Sequence, residues 1–314
     1  MTVLHGKDPI RYTISGLCRL FGVSKQAYYK SLYKVREPYK PMVAEITEFC
    51  RAERSVDPRI GCRKLWLVYR GEHGSASRRT FEEILAANGL LLRITRRRIR
   101  TTDSAHGLPL YPNLVYSVIP VRPCQIWVAD ITYIRLHNAD GSTRFCYLST
   151  VMDAYSRYIM GYYVGRTLET VHSLVALNLA LETSHRLGLS LTGLIHHSDR
   201  GVQYASEDYV KVLNENHILI SMTETGNPRD NPQAERINST IKNELLHGLV
   251  FGSISDVMRE LPPKIEYYNT RRPHMSLDNM PPAQALCRIG EIPKKWMSYR
   301  DLAIEAQTPA LETL

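Results

Sequence analysis

The stretch QIWVADITYIRL, residues 125–136, decides the fold class, because apolar and β-branched residues occupy both faces of a predicted strand. Two more strand-like runs follow directly, RFCYLSTVMDA at 144–154 and YIMGYYVGRTL at 158–168. Turn signals separate the three runs. We therefore predict three consecutive antiparallel strands, with the first one central and buried.

Helical and strand patterns alternate after these runs. Helices are predicted at 171–187, 207–216 and 232–246, and strands at 191–197 and 218–223. The resulting order is βββαβαβα. It predicts a mixed α/β sheet of five strands with the ribonuclease-H-like fold.

Three carboxylates are predicted to converge at one end of this sheet. Asp130 lies inside the central strand, where a charge is costly unless a cation or hydrogen-bond donors compensate it. Asp199 follows a strand, and Glu235 lies in the first turn of a helix that begins at Asn231-Pro232, with Asn231 as its cap. Each acid alone has a plainer alternative: a hydrogen-bonded core residue, a turn residue and a helix-dipole residue.

Carboxylate oxygens in such an arrangement suit Mg²⁺ or Mn²⁺ better than zinc. Two such ions, about 3.5 to 4 Å apart, support phosphoryl transfer without a protein nucleophile. His196 and His197 are adjacent in a strand and point to opposite faces, so we predict structural or supporting roles for them. Asp153, a rival carboxylate, is assigned to a turn.

The N-terminal part of the chain has the outline of a DNA-binding unit. Residues 14–30 are typical of two short helices around a turn, with Gly22 ending the first and Ser24 capping the second. This predicts a helix-turn-helix whose second helix, with Lys25 and Gln26, contacts DNA. Any small helical hairpin could carry the same pattern.

Charge is concentrated in the same part of the chain. Residues 1–100 hold 21 Lys or Arg against 9 Asp or Glu, whereas residues 101–314 hold 19 against 22. Further helices are predicted at 41–54, 63–70 and 77–88. They are followed by an arginine run that we predict to contact phosphates, although a solvated surface is the alternative: Arg93, Arg96, Arg97, Arg98 and Arg100.

Composition excludes several classes of protein. The 314 residues are 44% hydrophobic and 23% charged, which is typical of a folded protein, and no apolar run is long enough to span a bilayer. Six cysteines without a CxxC pair indicate neither a zinc knuckle nor a disulfide framework. We expect a cytoplasmic, nucleoid-associated bacterial protein without a membrane partner. Five regions are predicted: helix-turn-helix 1–40, second helical DNA-binding unit 41–100, linker 101–123, catalytic core 124–290 and tail 291–314.

The acidic residues also carry a family resemblance. Asp130, Asp199 and Glu235, with Lys242 seven residues after the glutamate, resemble the acidic triad of retroviral integrases and DDE transposases. The segments HHSDRGVQY (196–204), GNPRDNPQAERINSTIKNEL (226–245) and YNTRRPHMSLDNMPPAQAL (268–286) resemble the second-frame product, OrfB, of the IS-three family of insertion sequences. The resemblance extends over about residues 10–290.

The resemblance implies a metal-dependent transposase. Its three acids would hold two Mg²⁺ ions, with Asp130 bridging them, for nicking at the 3′ ends of the element and then attack of the freed 3′-OH on target DNA. Lys242 would contact the terminal DNA. Expected partners are the first-frame OrfA product, or an OrfA-OrfB fusion, and further copies of the chain on paired DNA ends. A nuclease or resolvase of the same fold and a non-catalytic, domesticated DNA-binding protein are the alternatives.

Overall fold

The computed structural model describes residues 2–5, 8–11, 13–32, 40–74, 76–92, 108–116, 118–224 and 231–293. The chain forms two compact units, Met1–Glu48 and Phe49–Leu314. Throughout these described ranges, no helix combines the length and the apolar character needed to cross a bilayer.

The first unit contains a strand pair and the predicted helix-turn-helix. Strands β1 (Thr2–His5) and β2 (Asp8–Arg11) are antiparallel, and helices α1 (Ile14–Leu20) and α2 (Lys25–Leu32) follow. Between the helices Gly22 has a φ of 65°, and the Ser24 hydroxyl accepts a hydrogen bond of 3.0 Å from the Ala27 amide. The predicted end of the first helix at Gly22 and the predicted cap of the second at Ser24 are thus confirmed.

Three helices confirm the patterns predicted upstream of the sheet. They are α3 (Lys40–Val56), α4 (Cys62–His73) and α5 (Arg78–Ala87). Each buries one apolar stripe, as in α5, where Phe81 and Leu85 are fully buried. The residues from Phe49 onward belong to the second unit.

The second unit is built on the five-stranded sheet that the sequence predicts. Its strands are β3 (Ile126–His137), β4 (Thr143–Asp153), β5 (Ile159–Gly165), β6 (Ile195–Ser198) and β7 (Leu219–Met222). The spatial order is β5-β4-β3-β6-β7, with antiparallel pairs from β5 to β3 and parallel pairs from β3 to β7. This is a ribonuclease-H-like sheet with β3 at its centre.

Helices cover the sheet and complete the core. They are α6 (Thr170–Arg186), α7 (Val202–Ala205), α8 (Glu207–Glu215), α9 (Pro232–Thr240), α10 (Ile254–Thr270) and α11 (Pro282–Ala285). Trp127, Leu177 and Tyr209 are fully buried in the main apolar cluster. Helix α6 lies so close to β5 that a Cβ atom at Gly161 would overlap the carbonyl oxygen of Ala176.

The last predicted helix differs from the observed one. The α-helix ends at Thr240, and Ile241–Leu245 forms a π turn in which the Leu246 amide donates to the Ile241 carbonyl at 2.9 Å. The wider turn allows both Leu245 and Leu246 to be buried. The predicted helix therefore has the expected extent, but its last turn is π-helical.

Two adjacent arginines at the end of α10 tie helices α3 and α4 to the sheet domain. Arg271 donates to the Glu53 carboxylate at 2.6 and 2.9 Å and also pairs with Glu72. Arg272, which is 4% exposed, belongs to a second group that we call the buried ion cluster. Its members are Asp57, Lys64, Glu244 and Arg272.

The buried ion cluster holds two acids and two cations, but they are unequally paired, because Glu244 takes the hydrogen bonds of both cations. Asp57 is completely buried, lies 3.7 Å from Arg272 Nε, and has no hydrogen-bond partner for either oxygen within the described residues. Burial first, and then the charge of Glu244, raises the pKa of Asp57 from 3.8 to about 7.

Replacing Asp57 with asparagine is expected to change how stability depends on pH. Between about pH 4 and 7 the folded protein holds a proton on Asp57 that the unfolded chain has lost, so stability falls as pH rises through this window. The asparagine amide is neutral at every pH. The melting temperature of Asp57→Asn relative to wild type should therefore rise from pH 5 to pH 8, by about 2–4 °C for each kcal/mol recovered.

Thermal melting at the two pH values measures this, with the exposed Asp208→Asn as control. A difference between Asp57→Asn and wild type that is the same at pH 5 and pH 8 would contradict the assignment.

Candidate active site

Asp130 lies where the central strand leaves its parallel neighbour. Strand β3 pairs with β4 from Trp127 to His137, but with β6 only at Ile126, Trp127 and Val128. Two residues beyond this point Asp130 is partly buried, on the edge from which β6 has departed. The gap in the sheet leaves room for α9 beside β3.

Helix α9 is fixed against this edge by two asparagines. The side chain of Asn231 donates to the Ala129 carbonyl at 3.2 Å, and it makes no capping hydrogen bond to α9. Asn238 donates to Asp130 Oδ2 at 2.7 Å. Pro232 and Asn231 confirm the predicted beginning of the helix, with Asn231 at the N-cap position, but the Asn231 side chain binds the strand and does not cap the helix.

The pKa of Asp130 depends on its burial and on two other acids. Burial is the largest cause that raises the pKa of Asp130 to about 7, and the negative charge of Asp199 is the second. Hydrogen bonds from the Ile131 amide, at 2.9 Å, and from Asn238 act in the opposite direction. The charge of Glu235 raises the pKa further. The fold thus brings all three predicted acids within electrostatic reach of one carboxylate.

Asp199 and Glu235 occupy the predicted positions in the chain. Asp199 follows β6 directly, and its Oδ1 accepts from the Gly201 amide at 3.0 Å, so it also organises the turn before α7. Glu235 lies in the first turn of α9 and is exposed, and burial of part of its carboxyl raises its pKa. Asp199 thus reaches the site from the turn after β6, and Glu235 reaches it from the start of α9.

A divalent cation fits this donor set. Hard carboxylate oxygens are the ligands of Mg²⁺, and a cation would relieve the mutual repulsion that raises the pKa of Asp130. Each oxygen of Asp130 accepts one hydrogen bond, which leaves a second lone pair on each. In the part of the chain that the structure describes, no three His, Cys, Asp or Glu side chains are close enough to hold a metal together. The three acids therefore lie within electrostatic reach of one another without forming a three-ligand cluster among the described residues.

Lys242 lies beside the carboxylates on the π turn. Its Nζ is 4.4 Å from the centre of the Tyr133 ring, over the ring face. Burial lowers the pKa of Lys242, and the charge of Asp130 acts in the opposite direction. The predicted basic residue is thus within electrostatic reach of Asp130 and lies over an aromatic ring of the same strand.

Two site residues were not identified from the sequence. Asn238 was not considered, although a polar residue beside the buried stripe of α9 is a usable signal. Tyr204 is 2% exposed, and its hydroxyl has no hydrogen-bond partner among the residues described here. Burial raises its pKa, and the charges of Tyr209, Asp130 and Asp199 add to this effect. Its place at the site follows from tertiary packing.

The histidines and the rival aspartate have structural roles, as predicted. His196 Nε2 is 3.0 Å from the Tyr209 hydroxyl, and His197 Nδ1 is 2.9 Å from the Ser221 hydroxyl. Asp153 accepts hydrogen bonds from the Ser156 amide and hydroxyl, which closes the turn after β4, and from the amide of Cys124.

The structure describes only some of the predicted DNA-contacting residues outside the core. Lys25 and Gln26 are exposed in the first turn of α2, where they are available to a ligand. The arginine run, with Arg93, Arg96, Arg97, Arg98 and Arg100, lies outside the described residues. Its role stays a prediction.

Comparisons with known proteins agree with this geometry. Two models described as integrase core domains match residues 120–228 and 216–282. A putative transposase for insertion sequence element IS986/IS6110 from Mycobacterium tuberculosis is 34% identical, over 71% of this chain and 80% of that protein. The chain belongs to the insertion-sequence transposases. Its function is DNA transposition, and its integrase core is a polynucleotidyl transferase.

Further relatives extend the similarity over most of the transposase. The transposase for insertion sequence element IS629 from Shigella sonnei is 29% identical, over 88% of this chain and 92% of that protein. Among solved structures, a simian T-cell lymphotropic virus intasome in complex with a PP2A regulatory subunit matches with a TM-score of 0.45 and 17% identity. That match covers 79% of each chain.

Replacing Asn238 with leucine is expected to slow DNA cleavage and joining about 10- to 100-fold, because Asp130 loses the amide that orients its Oδ2. The melting temperature checks that the variant remains folded. Reaction rates at saturating DNA measure the effect, with the exposed neighbour variant Ser239→Ala as control. A folded Asn238→Leu protein that reacts at the wild-type rate would remove Asn238 from the site.

Proposed function

We propose that this transposase nicks the 3′ ends of its insertion sequence and joins each freed 3′-OH to target DNA. The observation that carries the proposal is the placement of Asp130 between two other acids at the parting of β3 and β6. Both reactions are in-line displacements at phosphorus, and acids in this arrangement serve both. The alternatives, a nuclease of the same fold and a DNA-binding protein without activity, become outcomes of the test below.

Asp130, Asp199 and Glu235 would together hold two Mg²⁺ ions, with Mn²⁺ as a substitute. Bound there, the ions would activate the attacking oxygen and stabilise the leaving oxygen. The burial of Asp130 supports this assignment, because a partly buried carboxylate with two acidic neighbours needs a compensating cation.

The surrounding side chains of this chain would orient the reactants. Asn238 holds one oxygen of Asp130 in place. Lys242, beside Asp130 and over the Tyr133 ring, would pair with a phosphate of the terminal DNA next to the scissile bond. A cation already held on an aromatic face loses little freedom on binding, which favours a defined DNA register.

Additional DNA contacts and partners complete the proposal. Lys25 and Gln26 of the helix-turn-helix would contact the terminal repeats, and the arginine run would follow the phosphate backbone. We further propose that the chain works with the first-frame OrfA product, or fused to it, and assembles as a homo-oligomer on paired DNA ends. The absence of a sustained heptad repeat in the sequence supports the need for a separate assembly partner.

Neutral substitutions of the acids are expected to abolish chemistry and to spare binding. Asp130→Asn, Asp199→Asn and Glu235→Gln should each lower nicking and joining by at least about 100-fold, because each removes a metal-ligand charge. The assay uses a supercoiled plasmid with paired element ends, Mg²⁺ or EDTA, and the chain with or without the fused first-frame product.

The products and controls of this assay separate the competing functions. Metal-dependent joining that the acid variants lack supports a transposase, and nicking without joining favours a nuclease. Binding without cutting in either condition favours a DNA-binding protein. Full site-specific activity of the chain alone as a monomer would contradict the proposed partner.

Replacing the arginines Arg96, Arg97, Arg98 and Arg100 with glutamine is expected to weaken DNA binding and to flatten its salt dependence. Each lost phosphate contact should reduce the slope of log affinity against log salt by about one unit. Titrations between low and physiological salt measure the slope. An unchanged slope would identify the run as a solvated surface.

A further inference from the structure

The buried ion cluster and the active site meet on one short segment. The π turn Ile241–Leu245 carries Lys242 on the side of Asp130 and Glu244 on the side of Arg272. Nothing in the proposed chemistry uses Glu244. Both of its carboxylate oxygens nevertheless accept hydrogen bonds from cationic side chains.

Glu244 receives three charged hydrogen bonds from two different elements. Arg272, directly after α10, donates through Nε at 2.7 Å to one oxygen and through Nη2 at 2.9 Å to the other. Lys64 of α4 donates at 2.9 Å. Burial opposes the charge, but the hydrogen bonds and charge of Arg272, together with Lys64, lower the pKa of Glu244. The carboxylate is thus held ionised and fixed in position.

Arg272 is itself held by burial and by an aromatic ring, so it can fix the position of Glu244. The guanidinium is 4% exposed, and its Cζ lies 5.4 Å from the centre of the Tyr268 ring. An Arg–carboxylate pair with two parallel hydrogen bonds fixes direction as well as distance. The π turn is therefore clamped at Glu244, two residues from Lys242.

A π turn is a rare geometry whose i→i+5 hydrogen bonds close larger rings than those of an α-helix, and such turns are common at functional sites. Here the turn is recorded by the bond from the Leu246 amide to the Ile241 carbonyl at 2.9 Å. If the segment returned to α-helical geometry, the residues after Ile241 would rotate relative to β3. Lys242 would then leave the Tyr133 ring.

We propose that Glu244 is a positioning residue for Lys242: its pairing with Arg272 and Lys64 holds the π turn in the geometry that keeps Lys242 over Tyr133 and beside Asp130. The proposal assigns a role in the reaction to Arg272 of the YNTRRPH segment, which lies outside the acidic triad. It rests on the proposed function in one respect, the contact between Lys242 and DNA.

The position of Lys242 can be measured without DNA. The full chain carries 3-fluorotyrosine at position 133, and its fluorine resonance is compared in wild type, Lys242→Met and Glu244→Gln. We expect the resonance of Glu244→Gln to move towards that of Lys242→Met, because the ammonium leaves the ring. Lys64→Met, a milder change in the same cluster, should move it in the same direction. Glu72→Gln, which alters the exposed pair with Arg271, should leave it unchanged.

The consequence for DNA is measured as a double-mutant cycle on binding to element ends. Glu244→Gln and Lys242→Met should each weaken binding by about tenfold, which is about 1.4 kcal/mol. The double variant should bind no more weakly than Lys242→Met alone, because Glu244 acts through the lysine.

Three outcomes decide the matter. An unchanged fluorine resonance in folded Glu244→Gln and Lys64→Met overturns the proposal, as do losses of affinity that add in the double variant. If the resonance moves and no variant, including Lys242→Met, loses affinity, the positioning role stands and the proposed DNA contact of Lys242 fails.

Discussion

The parting of β3 from β6 is the constraint on which the site depends. Strand β3 is paired along its whole length with β4, but its parallel pairing with β6 ends at Val128. Beyond that residue the strand has an open edge, and the turn after β6 and helix α9 fill the space. An aspartate placed two residues past the last pair therefore faces two other chain segments at once. Three acids from distant parts of the sequence meet because the sheet divides there.

Charge governs the second unit in two contrasting ways. At the site, burial first and then the charges of Asp199 and Glu235 raise the pKa of Asp130 to about 7. In the buried ion cluster, Glu244 is matched by Arg272 and Lys64. The first arrangement favours a bound cation, and the second favours rigidity. Both are reached from the same helical segment, through Asn238 and Glu244.

Helices α3 and α4 supply side chains for ion pairs within the second unit. Their sequence suggested a separate basic DNA-binding unit. From Phe49 onward, however, they belong to the compact unit that holds the sheet, and Glu53, Asp57 and Lys64 are committed to ion pairs with its last long helix or the π turn. Because these side chains are used internally, any DNA contact of this segment has to come from its other, exposed basic residues.

The sequence by itself determined the order of strands and helices along the chain and the helix-turn-helix outline, and it singled out three candidate acids, because these depend on local periodicity, turn residues and the positions of acids relative to the predicted elements. Helix α10 carries mixed signals, since Ser253 and Asp256 form a capping box at its start but Pro262 and Pro263 lie inside it. Only the tertiary structure decided that α9 ends in a π turn, that Asn238 and Tyr204 lie at the site, and that Glu244 pairs with Arg272. These features depend on contacts between residues that are far apart in the chain, and hydrophobic periodicity within one segment contains no record of them.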